Sequence, residues 1–352
     1  MKDHKDRVKA FVKLGAFFRE YCENSKEDPI DPSKQVWHTK LNDAILRAGH
    51  KNGWFTEDNI KFAISTWGAL LTTKDLEQWL SYYDFSKVKH KTVALIMAGN
   101  IPLVGFHDFL SVLLSGNKAV IKLSSNDAIL LPFIANFLIE QMPSLKAEIE
   151  FTENKLEEFD AVIATGSDNT SRYFEHYFGH KPNVIRKNRN SIAIISGKES
   201  KLELKALGED IFRYYGLGCR SVSKIFVPKG YEFDAFFEAV FDYNPIINQS
   251  KYANNYDYNK AVYLMSEFTI LENGFLMLKE DQNYASPIAT LFYEEYGSLQ
   301  ELKKRILADR DKIQCIVANG FVENEINFGQ TQKPTLTDYA DGVDTVEFLL
   351  KT

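Results

Sequence analysis

Cys219 lies in the segment Tyr214-Tyr215-Gly216-Leu217-Gly218-Cys219-Arg220-Ser221-Val222-Ser223-Lys224-Ile225-Phe226-Val227-Pro228, on a glycine turn between a helical pattern and an apolar strand. A thiol in that setting suits nucleophilic work: Gly216 and Gly218 allow close backbone approach, and Arg220 adds positive charge that favours thiolate. Far upstream, a strand-like run ends in Gly99-Asn100, which supplies a side-chain amide donor. A thiol paired with an amide N–H aimed at a developing oxyanion is equipment for acyl or aldehyde chemistry. Each residue also has a plainer use. A cysteine is commonly a small core hydrophobe, the role that fits Cys22 and Cys315, and Asn after Gly commonly closes a turn.

Two further groups follow apolar runs: Lys122-Leu123-Ser124-Ser125-Asn126 and Thr165-Gly166-Ser167. Thr165, Gly166 and Ser167 either cap the helix that follows or turn their N–H and hydroxyl groups toward a pyrophosphate at its N-terminus. Lys122, with Ser124 and Ser125, suits a ribose 2′-phosphate; alone it is also an ordinary solvated strand end. No GxGxxG fingerprint is present, so a nucleotide either binds in a less usual way or does not bind.

The elements that must position these groups change character along the chain. Over residues 1–90, Val8, Phe11, Val12 and Phe18 recur at helical spacing. Thr56 and Thr73 precede Ile60/Ile64/Trp67 and Leu76/Trp79/Leu80 as N-caps, giving a helical N-terminal segment. From Lys91 the period becomes mixed: strands over 92–98, 119–123 and 160–164 alternate with helices over 104–115, 127–141 and 169–178. Alternation of this kind implies right-handed parallel crossovers and a doubly wound sheet, with its ligand site at the C-terminal strand ends. Residues 91–190 thus read as a nucleotide-binding α/β domain, and 191–326 as a second α/β domain carrying the cysteine. Residues 327–352 read as a polar arm with a strand-like end, reaching across a partner subunit.

With 352 residues, of which 45% are hydrophobic, the chain can fill the cores of two domains. The net charge of −6 with interspersed signs leaves no broad basic face, which argues against nucleic acid as a partner. Three widely spaced cysteines fit neither a disulfide framework nor a CxxC metal site, so no metal is expected and a reducing compartment is. The charged start, Met1-Lys2-Asp3-His4-Lys5-Asp6-Arg7, is unlike a signal peptide, and no apolar run reaches a membrane span. A cytoplasmic location is the expectation.

Taken in order, several stretches resemble the aldehyde dehydrogenase superfamily, and within it the fatty acyl-CoA reductases of the bacterial bioluminescence type. They are Met97-Ala98-Gly99-Asn100-Ile101-Pro102, Gly116 through Asp127, Ala164-Thr165-Gly166-Ser167, Gly216-Leu217-Gly218-Cys219-Arg220-Ser221, and the tail Asp338 through Thr345. The resemblance implies an aldehyde-dehydrogenase-like fold of two doubly wound α/β domains with a helical preface and a C-terminal arm. It implies Cys219 as the acyl-accepting nucleophile and Asn100, with the Cys219 backbone N–H, as oxyanion hole. It also implies Lys122 at the adenosine ribose or its phosphate, and Ser167 at the pyrophosphate. Dimers or larger homo-oligomers follow from the same likeness.

Two departures bear on the reaction. Aldehyde-oxidising members carry a glutamate in a Glu-Leu-Gly-Gly-Lys segment; the matching stretch here, Ile185-Arg186-Lys187-Asn188-Arg189-Asn190, holds no acid. Since that glutamate activates the hydrolytic water, its loss favours reduction of a long-chain acyl-CoA by NADPH to aldehyde and CoA through a thioacyl-cysteine. The segment Glu-x-Phe-Gly-Pro is matched by Asn283-Tyr284-Ala285-Ser286-Pro287, without the ribose-holding carboxylate. His107, His176 and His180 are the nearest candidates for an acid, though each also suits a surface or turn position. Two other readings stay open: a CoA-acylating aldehyde dehydrogenase using the same residues, and a non-catalytic nucleotide-binding scaffold in which Cys219 is merely packed.

Overall fold

The computed structural model describes residues 2–23 and 32–352; residues 1 and 24–31 of the expected helical segment lie outside them. The chain forms two units, Met1–Lys187 with Thr335–Thr352, and Asn188–Pro334.

The first unit opens with helices α1 (Lys2–Glu23), α2 (Pro32–Lys51), α3 (Glu57–Leu70) and α4 (Thr73–Leu80). Thr56 caps α3 by accepting from the Asn59 N–H at 3.4 Å. The cap of α4 is Thr72, one residue before the Thr73 expected: Thr72 has the extended backbone a cap needs and accepts from the Asp75 N–H at 3.1 Å. The sheet that follows comprises β1 (Thr92–Ile96), β2 (Lys118–Lys122), β3 (Ile149–Phe151), β4 (Ala161–Thr165) and β5 (Asn183–Arg186). Helices α5 (Phe106–Leu114), α6 (Leu130–Gln141) and α7 (Asp168–Phe178) connect them. All neighbours are parallel, in the order β3-β2-β1-β4-β5.

The period-two alternation of buried residues assigns the two faces of this sheet. Val93, Leu95, Ala119, Ile121 and Ile163 join one core with Phe11, Leu14 and Phe18 of α1 and Phe106 and Phe109 of α5. Ala94, Val162 and Ala164 face the other way, against Phe159, Phe174 and Phe178. The helical N-terminal segment therefore shares the core of this sheet.

The second unit contains β6 (Asn190–Ile194), α8 (Lys201–Phe212), β7 (Val222–Pro228), α9 (Asp234–Val240) and α10 (Ser250–Met265). It continues with β8 (Ile270–Glu272), β9 (Met277–Glu280), β10 (Thr290–Tyr296), α11 (Leu299–Ala308) and β11 (Ile313–Val317). Its sheet runs β11-β6-β7-β10-β9-β8, parallel throughout except for the edge pair β8 and β9. Helix α8 starts at a full capping box, Ser200 with Glu203.

The end of the tail differs from expectation. Residues Thr345–Lys351 are a helix, α12, and the tail from Thr335 onward belongs to the first unit. Asp344 caps α12 by accepting from the Glu347 N–H at 2.8 Å, and Val346 and Leu349, one helical turn apart, are buried in the first core. The Phe348-Leu349-Leu350 run that reads as strand is thus one helical turn. Three ties fasten this tail. Tyr339 accepts from Trp79 Nε1 at 2.7 Å and lies 2.5 Å from the Tyr83 hydroxyl, which donates to Asp344 at 2.6 Å. His107 Nε2 lies 2.9 Å from the Leu336 carbonyl oxygen. Arg186 forms a buried, two-pronged ion pair with Asp108 of α5 and donates to the Thr345 hydroxyl at 3.1 Å. Among the described residues, no helix is long and apolar enough to cross a membrane.

Breaking a buried pair on one side strands the other charge. Arg186→Ala is therefore expected to lower the unfolding free energy by about 3–5 kcal/mol, whereas the paired change Arg186→Met with Asp108→Leu costs much less. Urea titrations of the three proteins check this.

Candidate active site

Parallel order sets out the first group of candidates. Because β2, β1 and β4 are adjacent and parallel, their C-terminal ends lie along one edge of the sheet, where Lys122, Gly99-Asn100 and Thr165-Gly166-Ser167 follow in turn. The chain leaves β1 toward β2 and later returns to β4, so the switch point lies between β1 and β4, where open α/β sheets hold ligands. Asn100 is exposed on the bend after β1. Lys122 Nζ donates to the Asn154 carbonyl at 3.3 Å. Asn154 lines a cleft of about 480 Å³ with Thr92, Lys118, Val120, Glu150 and Thr152.

Ser124 and Ser167 also perform the plainer jobs. Ser167 caps α7, accepting from the Thr170 N–H at 3.3 Å, with its hydroxyl 2.9 Å from that of Thr170. Ser124 Oγ accepts from the Asn126 N–H at 3.3 Å and sits against Gly99, where an added Cβ would come within 2.6 Å of that oxygen. Gly99 is thus required by the close approach of the two strand-end loops, and that approach ties the Asn100 bend to the Lys122 strand.

Asp127, which is not among the expected site residues, completes this arrangement. It is buried and accepts from the Leu103 N–H at 3.1 Å. Leu103 is itself buried with a left-handed φ of 59°, a costly conformation for a branched side chain. Asp127 therefore holds the end of the Asn100 loop. Burial pushes its carboxyl up to about 6, against the lowering effect of the Leu103 and Leu130 N–H groups.

Cys219 belongs to the other unit. It is exposed, while Cys22 is half-buried and Cys315 buried, and none of the three is in a disulfide. It lies just before β7, at the N-terminal edge of its sheet, so the strand-end rule that organises the first unit does not describe its position. The chain reaches it through Tyr214, Tyr215 and Gly216, all left-handed with φ of 56°, 59° and 74°. Only the last is a residue for which that is easy. The Cys219 carbonyl accepts from the hydroxyl of Ser191, a fully buried residue near the start of β6, at 2.9 Å. Arg220 Nε donates to the Thr331 carbonyl, and the Gln332 amide approaches the Ser221 hydroxyl at 3.4 Å.

The departures in sequence acquire structural reasons. In the acid-free stretch 185–190, Arg186 is taken up by Asp108 and Thr345, and Lys187 pairs with Glu175 at 2.9 Å. Near Asn283 a carboxylate does stand, Asp281, but it is committed to Lys279 at 2.5 Å and to the Asn283 amides at 2.8 and 2.9 Å. His176 and His180 are exposed on and just after α7. His107 is lowered from its ordinary value by burial and is spent on the tail.

The architecture has clear relatives. Aldehyde dehydrogenase 21 from Physcomitrella patens, solved with the product succinate, superposes with a TM-score of 0.68 at 11% identity, covering 99% of this chain and 84% of that one. An indole-3-acetaldehyde dehydrogenase mutant from P. syringae, in complex with NAD+ and IAA, gives 0.61 at 13% identity over 90% of this chain and 75% of that one. The fold is aldehyde-dehydrogenase-like. In sequence, residues 67–240 match the family model of acyl-CoA reductase (LuxC). A long-chain acyl-protein thioester reductase of Aliivibrio fischeri is 27% identical over 173 residues, 43% of this chain and 35% of that relative. Residues 67–240, just under half of the chain, are thus similar to the acyl-CoA reductase (LuxC) family, and the match to the curated relative spans about a third of that relative's length.

Because folding raises the proton affinity of Asp127, this carboxyl favours the native state fully below about pH 4, its unfolded range. That contribution fades as the pH rises through about 6. Asp127→Asn, which keeps an oxygen for Leu103, should therefore gain on wild type by on the order of 2 kcal/mol between about pH 4 and 7. Urea midpoints across that range measure it; parallel curves would mean that folding leaves the Asp127 carboxyl unperturbed.

Proposed function

We propose that this chain is a reductase of long-chain acyl thioesters, taking an acyl-CoA to the aldehyde plus CoA with NADPH as the reductant. The observation that carries the reading is the exposed Cys219 on a left-handed, multiply anchored turn within the stretch matched to acyl-CoA reductases. Strain held at a turn that presents a nucleophile is a recurrent feature of acyl-transfer sites.

In this mechanism the Cys219 thiolate attacks the thioester carbonyl carbon. The C–S bond to the enzyme forms, the carbonyl π pair moves to oxygen, and the oxyanion is met by the Cys219 N–H, with the Asn100 amide as the second donor that the sequence resemblance implies. Collapse expels CoA as its thiolate, which takes a proton from solvent, and leaves Cys219 acylated. The absence of an acid in 185–190, with Arg186 locked in an ion pair, leaves no group there to activate water against the thioester. A reduced nicotinamide nucleotide, when bound, supplies the hydride that takes the acyl carbon to the aldehyde level. Cys219 is the leaving group of that final collapse and is regenerated as thiolate.

The residues of the first unit suit such a nucleotide. Lys122 and the N-terminus of α7 flank β1 at the switch point, one offering a cation to a ribose or its phosphate, the other N–H groups to a pyrophosphate. The cleft that Asn154 lines carries Lys118 and Lys155 but also Glu150, Glu157 and Glu158, and NADPH and NADH are to be compared directly. The donor deserves the same treatment, since the relative from Aliivibrio fischeri is named for acyl-protein thioesters. A CoA-acylating aldehyde dehydrogenase is the same chemistry run in reverse. Assembly into dimers or larger oligomers is part of the proposal.

The test is covalent trapping. Protein incubated with labelled palmitoyl-CoA without reductant should carry one acyl group on Cys219, located by mass spectrometry, absent in Cys219→Ala and released as aldehyde on adding NADPH. Equal absence of label from wild type and variant, with acyl-CoA and acyl-protein donors of short and long chain, would sink the thioester reading and favour the non-catalytic scaffold.

A further inference from the structure

We propose that Ser191 and Asp210 are positioning residues for Cys219, together forming a bracket that sets the cysteine turn; the proposal rests on the reading of Cys219 as nucleophile. Cys219 precedes the first residue of β7, so no sheet ladder fixes it. A local turn bond, from the Ser221 N–H to the Gly218 carbonyl at 2.9 Å, spans it, and side chains from distant parts of the same unit anchor that turn.

The first arm of the bracket is Ser191. Its hydroxyl accepts from the Cys315 N–H at 3.1 Å and donates to the Cys219 carbonyl at 2.9 Å. The bond received from Cys315 occupies a lone pair and leaves the single hydroxyl proton for Cys219, so the direction of the second bond is determined. One fully buried hydroxyl therefore ties β6, β11 and the cysteine turn.

The second arm begins at Asp210, fully buried on α8, the helix that leads into the turn. One carboxylate oxygen accepts from the Thr331 N–H at 2.9 Å and the Thr331 hydroxyl at 2.8 Å, and the other from the Gly329 N–H at 2.6 Å. Thr331, fixed in this way, presents its carbonyl to Arg220. One arm holds the Cys219 carbonyl and the other the Arg220 guanidinium, downstream of three successive left-handed residues. Fixing the carbonyl on one side of Cys219 and the side chain of the next residue constrains the Cys219 backbone, and with it the direction of the thiol. Misplacement of a reacting group by about 1 Å commonly lowers rates about 100-fold.

The experiment compares wild type, Ser191→Ala, Ser191→Thr and Asp210→Asn in single-turnover acylation by palmitoyl-CoA, with a thermal melt of each. Expected is a fall in the acylation rate of roughly 10- to 100-fold for Ser191→Ala with the half-saturating acyl-CoA concentration unchanged, substantial recovery in Ser191→Thr, and a smaller fall for Asp210→Asn. A folded Ser191→Ala that acylates at the wild-type rate overturns the proposal, as does a fall that Ser191→Thr fails to recover. Should Ser191→Ala not fold, Asp210→Asn decides on the same two readouts. If wild type itself takes no acyl group, the nucleophile reading has failed separately. The bracket is then read from the iodoacetamide alkylation rate of Cys219: changed severalfold in Ser191→Ala or Asp210→Asn if it sets the thiol, unchanged if it does not.

Discussion

A parallel sheet obliges its loops to do different work at its two ends, and the first unit depends on that constraint. Each strand must be followed by a crossover, so every loop at the C-terminal edge is a fresh segment free to vary, while the strands beneath stay apolar and interchangeable. With β1 flanked by β2 and β4, three such loops meet: the Asn100 bend, the Lys122 strand end and the α7 cap. The contact of Gly99 with Ser124 and the bond from Leu103 to Asp127 then lock two of them together. The strand order creates the neighbourhood, and a few short polar contacts give it a fixed geometry.

The second unit solves a different problem. Its cysteine stands at the opposite kind of sheet edge, before a strand begins, where no crossover geometry orients it. Side chains take over that task, and they come from far along the chain: Ser191, Asp210 and Thr331 lie on a strand, a helix and the tail-ward loop. Such a device tolerates change poorly, because an unmet buried donor or acceptor costs about as much as several good contacts return.

This contrast explains what could be read from the sequence. Strands β1, β2 and β4 are five residues long with apolar centres and are followed within a few residues by Gly or Ser, and local pattern places them within a residue or two. The cap residues Thr56 and Ser167 carry their own signal, since the chemistry of a cap is local. Ser191 and Asp210 carry none, because their partners are separated from them by many residues and an isolated polar residue in an apolar strand or helix looks like noise. Arg186 was visible only as a missing acid; its pairing with Asp108 needed the fold. The terminal helix α12 was misread although Asp344 and Glu347 stand at capping distance, because three consecutive apolar residues outweighed that cue.

The tail also fixes an order of events. A chain is made from its N-terminus, and domains tend to fold as they emerge. Here the sheet of the first unit is complete by Arg186, but the partners of Trp79, Tyr83, His107 and Arg186 on the tail come only after the whole second unit has been synthesised. Until the tail is made, the first unit lacks Thr345 as a partner of Arg186 and lacks Val346 and Leu349 from its core. The unit whose sheet comes first in the chain is thus completed by the segment that follows the second unit.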